Sequence, residues 1–284
     1  VPDDAFEGAP YYRQRIADPS RTPENFTVRV GETWVATLAT KEYGFISFIQ
    51  GFRADLPPFL RPLFPYRLAW ALLMGSTENY LGGLAHEAFH AYQGTVAPDR
   101  LAEAESVAGL EGRYRWELAE DAWRAELDAL HAAAKAAADA DTPEAEVAAL
   151  ARAFLDARET RRAAQGLGEE VADYERRREW LEGLAKVAEL TIALAAQEAV
   201  EAGTYTPVAA VEDDPEFKGY RTRRRFWSGQ LDEVKRMAGR SGETRFYYTG
   251  FAQGLILDRL QPGWKAAALD EGVWLEGLVA GAVK

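Results

Sequence analysis

The sequence predicts an α+β protein, mostly helical, in which a small antiparallel sheet precedes a large helical body. Apolar residues alternate with a period of two only before residue 60. After Ser76 the chain is rich in Ala, Leu, Glu and Arg, and capping residues or glycines divide it into separate helices. We therefore expect an arm and a sheet in residues 1–75 and a helical body in residues 76–284. The body is expected to form one continuous domain with a helical-hairpin insertion near residues 100–166.

The amino-terminal part carries the predicted sheet. The first 25 residues contain prolines and few periodic apolar positions, which predicts an extended arm. Period-two apolar positions then predict three short antiparallel strands, at residues 26–30, 34–38 and 45–48. Prolines between residues 57 and 65 predict a turn-rich connection to the helical body.

Start and stop signals define the helices of the body. Ser76 or Thr77 can cap the first helix, and Gly94 can end it. Pro143 marks a restart after an Ala-rich helix, and Gly166 to Gly168 separate the next two helices. The predicted helices cover residues 76–94, 99–139, 143–164 and 168–202. The last 80 residues return to mixed composition with aromatic anchors.

Composition and charge limit the classes of partner. The 284 residues carry a net charge of −12 at pH 7, which argues against nucleic acid as the main partner. The absence of cysteine excludes disulfides and thiolate metal sites. The most apolar run, Leu68 to Met74, is too short to cross a bilayer. The chain begins at Val1 rather than Met, which is compatible with a removed signal peptide and export, and otherwise with a cytoplasmic location.

Two of the three histidines lie four residues apart, and a glutamate follows the first of them. At this spacing His86 and His90 project from one face of a helix, one turn apart, and can reach a single metal ion. Zinc accepts such nitrogen ligands at about 2.0–2.1 Å. Glu87 lies about 100° around the helix from His86, where its carboxylate can touch a metal-bound water without displacing it. The sequence therefore predicts a zinc site on this helix.

The same helix contains two interior glycines, Gly82 and Gly83. Each costs about 1 kcal/mol relative to alanine, which is understandable if another group must approach the helix closely there. The alternative interpretation is a buried helix whose histidines only form hydrogen bonds within the core.

Residues 86–90, His-Glu-Ala-Phe-His, resemble the HExxH motif of zinc metallopeptidases. The branch in which a histidine soon after the motif is the third ligand is excluded, because the next histidine is His131. The chain is therefore similar to the gluzincins, whose third ligand is a downstream glutamate. The resemblance implies a zincin-type active-site helix, a Zn²⁺ cofactor and a peptide or protein substrate.

The best match to the gluzincin ligand segment lies in residues 179–189, which resemble the Glu-Gly-x-Ala pattern of several such families. This resemblance implies that Glu182 is the third ligand and that Gly183 lets two helices approach. The alternatives are Glu179 and the nearer pair Glu103 and Glu105. The acids of this segment could also form a solvated, salt-bridged helix face. His131 is expected at the surface, outside the site.

The resemblance also implies a mechanism. Zinc lowers the pKa of a bound water toward 7, and Glu87 takes its proton as the water attacks a peptide carbonyl. A tyrosine near the zinc commonly donates a hydrogen bond to the oxyanion in such enzymes, and we assign this role to Tyr248, with Tyr247 as the alternative. Both could also be core aromatics.

Two other functions remain compatible with the sequence. The chain could be a zinc hydrolase of a non-peptide amide or ester. It could also be a non-catalytic helical binding module that retains a metal site. Intact His86, Glu87 and His90 favour an active hydrolase.

Overall fold

A computed structural model describes residues 2–6, 9–12, 27–73, 76–107, 120–220, 223–240 and 242–284. These residues are mostly helical with short antiparallel strands, which confirms the predicted fold class. The strands are β1 (Pro2–Phe6), β2 (Ala9–Tyr12), β3 (Thr27–Val30) and β4 (Thr33–Ala36). The helices are α1 (Lys41–Asp55), α2 (Tyr66–Leu73), α3 (Thr77–Val96), α4 (Pro98–Ser106), α5 (Glu120–Ala138), α6 (Glu144–Ala164), α7 (Glu169–Arg178), α8 (Leu184–Glu201), α9 (Ala209–Glu212), α10 (Arg223–Arg236), α11 (Thr244–Leu260), α12 (Trp264–Ala267) and α13 (Leu275–Ala282). A π-helical turn, Glu179–Gly183, joins α7 to α8, and a 3-10 turn, Met237–Gly239, follows α10.

The strands form two separate antiparallel hairpins, β1 with β2 and β3 with β4. The first hairpin lies in the segment that we predicted as an extended arm, while residues 13–25 of that arm are outside the described ranges. In the second hairpin Val30 pairs with Thr33, so the turn consists of residues 31 and 32. Gly31 has a φ of 62°, a left-handed conformation that glycine adopts readily.

The predicted third strand, residues 45–48, is wrong because this segment lies in α1. Phe45, Phe48 and Phe52 are spaced by three and four residues, which places them on one face of a helix. The rings of Phe45 and Phe48 each lie 5.5 Å from the ring of Trp70 in α2. Thr40 begins the helix, since its hydroxyl accepts a hydrogen bond from the backbone N–H of Tyr43. Aromatic packing against α2, a helix we had not predicted, therefore determines the structure of this segment.

The other predicted helices are confirmed with changed limits. The helix expected at 99–139 corresponds to α4 and α5, and residues 108–119 between them lie outside the described ranges. The helix expected at 168–202 is α7 and α8 with the π-turn between them. No described helix is long and apolar enough to cross a membrane. The domain boundary at residue 75 remains a prediction.

Contacts with α8 and with the β3–β4 hairpin position α3, the helix that carries the histidine motif. It runs antiparallel to α8, because Gly82 near its start meets Glu189 while Gln93 near its end meets the carbonyl of Trp180. On another side the β3–β4 hairpin covers it, and a Cβ on Gly94 would overlap the indole ring of Trp34. The absence of a side chain at Gly94 therefore lets the hairpin lie against α3.

A buried ion network holds the π-turn in place. The guanidinium of Arg158 in α6 donates to Glu126 in α5 at 2.8 Å and to Glu179 in the π-turn at 2.5 and 2.9 Å. It also donates to Glu276 in α13 at 3.0 Å. Three side chains of this network are at most 3% exposed: Arg158, Glu126 and Glu179. A buried charge is costly unless an opposite charge lies beside it, so each of them depends on its partners. The network fixes the π-turn relative to three helices of the core.

Candidate metal centre

Three potential metal ligands converge between α3 and the π-turn. His86, His90 and Glu182 are all buried, and their ligand atoms lie within 4.8 Å of one another. The Oε2 atom of Glu182 lies 3.2 Å from Nε2 of His86 and 3.5 Å from Nε2 of His90. Among the described residues these three form the cluster that could hold a metal ion, and they are the three that the sequence predicted.

The hydrogen bonds of Gln93 fix the orientation of His90. The side-chain amide of Gln93 donates from Nε2 to the carbonyl of Trp180 at 3.0 Å and contacts that of Leu181 at 3.4 Å. This orientation turns Oε1 of Gln93 toward Nδ1 of His90, at 2.8 Å. An amide oxygen only accepts, so Nδ1 of His90 carries the proton and Nε2 keeps a free lone pair. The role of Gln93 depends on the carbonyls of the π-turn, so the sequence alone did not reveal it.

A second partner, Glu189 of α8, orients His86. Its Oε2 lies 3.5 Å from Nδ1 of His86, on the opposite side of the ring from Glu182. Lys186 holds the other carboxylate oxygen of Glu189 at 2.7 Å. A Cβ on Gly82 would lie only 3.4 Å from Cγ of Glu189, so this glycine leaves the space through which Glu189 approaches α3. Carboxylate partners of this kind fix the orientation of ligand histidines.

Two carboxylates make the environment of His86 attractive to a cation. Burial lowers the pKa of His86, but hydrogen bonds and charge from Glu182 and Glu189 outweigh it and raise this pKa to about 9. Burial conversely raises the pKa of Glu182, and contacts with His86 and His90 hold it well below its usual range. The site thus favours positive charge between these side chains, whether it is a proton or a metal ion.

The second oxygen of Glu182 is occupied by a positive side chain. Nη2 of Arg178 donates to Oε1 of Glu182 at 2.9 Å and to Glu243 at 2.5 Å. Glu243 also accepts a hydrogen bond from the hydroxyl of Tyr174 at 3.0 Å. These contacts leave Oε2 of Glu182 directed at the two histidines, so the carboxylate is arranged to offer one oxygen to a metal.

Backbone contact between two glycines brings the π-turn close to α11. A Cβ on Gly183 would lie 2.5 Å from Cα of Gly250 in α11, and a Cβ on Gly250 would lie equally close to Cα of Gly183. We had expected Gly183 to allow an approach between helices, and the structure identifies α11 as the partner. A π-turn also leaves backbone carbonyls available, and two of them accept from Gln93. The sequence offered no signal for the π-turn itself.

Glu87 lies on the neighbouring face of α3 and is half-buried. Burial is the main cause of the raised pKa of Tyr247, and the charge of Glu87 makes a smaller contribution to it. Glu87 does not belong to the ligand cluster, as its offset from the two histidines predicts.

The structure places Tyr247, rather than Tyr248, against the metal centre. The ring of Tyr247 stacks on the imidazole of His86, with centroids 5.3 Å apart and an interplanar angle of 5°. Burial, followed by the charge and hydrogen bond of Glu182, raises the pKa of Tyr247, so its hydroxyl stays protonated at neutral pH. The hydroxyl of Tyr248 instead donates to Gln230 in α10 at 3.3 Å. Gly250 lies three residues after Tyr247 on nearly the same face of α11 and meets the π-turn, so this contact directs Tyr247 toward His86.

No protein-family model, curated protein or solved structure matches this chain. The assignment of the site therefore depends on the geometry of its own side chains.

The alternative third ligands lie elsewhere. The carboxylate of Glu179 faces Arg158 in the core, and Glu103 lies 3.5 Å from Nη1 of Arg177 at the surface. Glu105 is exposed, and its charge interacts with His90 and Glu182 from the edge of the site. None of the three belongs to the ligand cluster.

The prediction that His131 lies at the surface is wrong. The residue is 6% exposed in α5, and its Nε2 lies 3.3 Å from Oδ1 of Asp232 in α10. Packing of α10 over α5 covers this histidine. It takes no part in the metal centre, as expected.

A cavity of about 280 Å³ opens beside α3, one turn before the motif. Gly83 lines it and precedes Glu87 by four residues, about 6 Å along the helix axis. A Cβ on Gly83 would contact only the Leu38 side chain, at 3.9 Å. The remaining walls include Trp70 and Tyr80, so the cavity is mainly apolar next to the polar metal centre.

Proposed function

We propose that the chain is a zinc-dependent metallopeptidase of the gluzincin type, with His86, His90 and Glu182 as zinc ligands. One observation carries this proposal: both Nε2 atoms converge on one carboxylate oxygen at 3.2 and 3.5 Å. Ligand atoms of a tetrahedral site with bonds of about 2.0–2.1 Å are separated by roughly 3.3 Å. The two nitrogen–oxygen separations therefore match a tetrahedral zinc site, and all three ligand atoms lie within 4.8 Å of one another.

The donor set supports a catalytic rather than a structural site. Two histidines and one carboxylate leave a fourth coordination position open, as in hydrolytic zinc enzymes. Zinc in such a site supplies an activated water at neutral pH and polarises the carbonyl group of the substrate.

The roles of the protein's side chains follow from their positions. Glu87, beside the triad but outside it, accepts a proton from the attacking water and passes it to the leaving amine. Tyr247 keeps its hydroxyl proton and donates it as a hydrogen bond to the oxygen on which negative charge develops. Gln93 and Glu189 hold the two imidazoles in the orientation that binding requires.

The cavity beside Gly83 supports a peptide as the substrate. It lies next to the segment 37–40, which follows β4 and runs alongside α3. A peptide placed over the motif could lie along this segment and insert an apolar side chain between Leu38, Trp70 and Tyr80.

The variant Glu87→Gln tests the proposal. It preserves the size of the side chain but removes the base, so turnover of any peptide identified by library screening should fall about 10²–10⁴-fold. Zinc content and melting temperature should change little, because Glu87 is not a ligand.

A matched variant, Glu103→Gln, removes a surface carboxylate that lies outside the triad and should retain activity. Equal peptide cleavage by the parent and by Glu87→Gln would reject the mechanism. A zinc-loaded parent that cleaves no peptide in the library would favour a non-peptide hydrolase or a binding module.

A further inference from the structure

The turn between α1 and α2 exposes large apolar side chains. Phe59 is 71% exposed and Leu63 is 76% exposed, with Leu60 between them at 38%. Leu68, at the start of α2, is 58% exposed. We call residues 56–68 the α1–α2 tip. Side chains of this size are rarely clustered on a surface unless something covers them.

Backbone hydrogen bonds build this exposure into the turn. The N–H groups of Leu63 and Phe64 both donate to the carbonyl of Leu60 at 3.0 Å, and Nε of Arg61 donates to the carbonyl of Leu56 at 2.9 Å. Behind the turn, Phe64 stacks on the ring of Phe52 at 5.4 Å. The turn is therefore ordered, with one set of apolar side chains packed inside the helical hairpin and another directed outward.

The charge around the tip is opposite to that of the whole chain. Residues 44–73 contain three arginines and one acid, Asp55, in a protein whose net charge is −12. Arg53 and Arg67 are exposed, and Arg61 donates to a backbone carbonyl. Arg67 also lines a surface pocket whose walls include Glu42, Asp214 and Glu216. Within the described ranges none of these three arginines forms an ion pair with a carboxylate, whereas those of the core do. Three arginines against one acid thus make the segment that carries the exposed apolar tip positive.

We propose that the α1–α2 tip docks on an anionic lipid membrane. Phe59, Leu60 and Leu63 would enter the boundary between headgroups and acyl chains, and the arginines would contact lipid phosphates. Apolar insertion combined with basic residues is the pairing that interfacial attachment needs, since either alone binds weakly. This attachment is independent of the metal centre and does not require a helix to cross the bilayer.

Vesicle sedimentation with the full chain tests the proposal. The protein should bind vesicles of mixed phosphatidylglycerol and phosphatidylcholine, bind pure phosphatidylcholine vesicles much more weakly, and dissociate as salt is raised. The double variant Phe59→Ser, Leu63→Ser should lose at least about tenfold in vesicle affinity. The double variant Arg53→Gln, Arg67→Gln should remove the preference for phosphatidylglycerol. Val208→Ser, at a residue that is 68% exposed before α9, is the matched control and should bind like the parent.

A site-specific label tests the same proposal without removing apolar side chains from the tip. The chain has no cysteine, so Leu63→Cys and Val208→Cys each accept a single environment-sensitive fluorophore. Phosphatidylglycerol vesicles should shift the emission of the label at residue 63 to the blue and leave that at residue 208 unchanged. No binding to either vesicle, equal binding to both, or equal shifts at both labels would overturn the proposal. So would self-association of the parent that the Phe59→Ser, Leu63→Ser variant abolishes, because a second copy would then cover the tip.

Discussion

Neighbouring tyrosines at the start of α11 face different surroundings. Tyr247 stacks on His86, whereas Tyr248 contacts Gln230 and has a pKa raised to about 12, chiefly by burial. The sequence alone could not separate them, because both are aromatic residues near the same helix start. Only the contact between α11 and the π-turn decides which ring meets the metal centre.

We predict that Tyr247→Phe lowers turnover about 10²–10³-fold, because it removes a hydrogen-bond donor and keeps the ring that stacks on His86. Zinc affinity should remain close to that of the parent. The matched variant Tyr248→Phe loses only a hydroxyl directed at Gln230 and should keep its activity. Steady-state kinetics on one peptide would measure both, and the reverse order of effects would restore the role that the sequence assigned to Tyr248.

Glu189 provides a second prediction at this scale. Glu189→Gln replaces the charged partner of Nδ1 of His86 with a neutral amide, so zinc affinity should fall about 10–100-fold. Competition with a chelator measures this loss. Glu198→Gln, at an exposed position on the same helix, should bind zinc like the parent. Equal affinity of all three proteins would show that Glu189 does not orient His86.

At the scale of elements, the π-turn is the feature that brings Glu182 to the histidines. Its position depends on contact between Gly183 and Gly250 at Cα level and on the hydrogen bond from Trp180 Nε1 to the carbonyl of Ala268 at 2.8 Å. Spacing predicted the existence and length of α3, and the Glu-Gly resemblance predicted Glu182. Neither could predict the π-turn, since its stability comes from helices far along the chain. Packing against a later element also explains residues 45–48, which we predicted as a strand. Their aromatic contacts with α2 stabilise them as part of the helix α1.

We predict that Gly250→Ala destabilises the protein by about 1–3 kcal/mol and weakens zinc binding, because its methyl group would push the π-turn away from α3. Urea unfolding and a zinc titration measure the two effects. Gly229→Ala is the matched control, since a Cβ in this helical position of α10 meets no atom within 4 Å. It should be neutral or stabilising by up to about 1 kcal/mol. Zinc binding by Gly250→Ala at parental affinity would mean that the π-turn does not depend on this contact.

At the scale of the whole molecule, buried ion pairs form the frame around the metal centre. The guanidinium of Arg158 connects Glu179 of the π-turn to Glu276 in α13, which lies 118 residues after Arg158 in sequence. One interpretation of the sequence placed Glu179 on a solvated face with neighbouring charges, but its side chain is buried at 1% exposure. The helical period of a sequence predicts which charged residues share one face of a helix. It does not show which other helix covers that face, so the burial of the network could not be predicted.

The central claim is that His86, His90 and Glu182 together bind zinc, and a zinc titration of the metal-free chain tests it most directly. The parent should bind close to one zinc ion per chain, Glu182→Gln should lose most of this affinity, and Glu103→Gln should retain it. Less than about a tenth of an equivalent in the parent after reconstitution would contradict the account. Zinc binding by Glu182→Gln equal to that of the parent would contradict it as well.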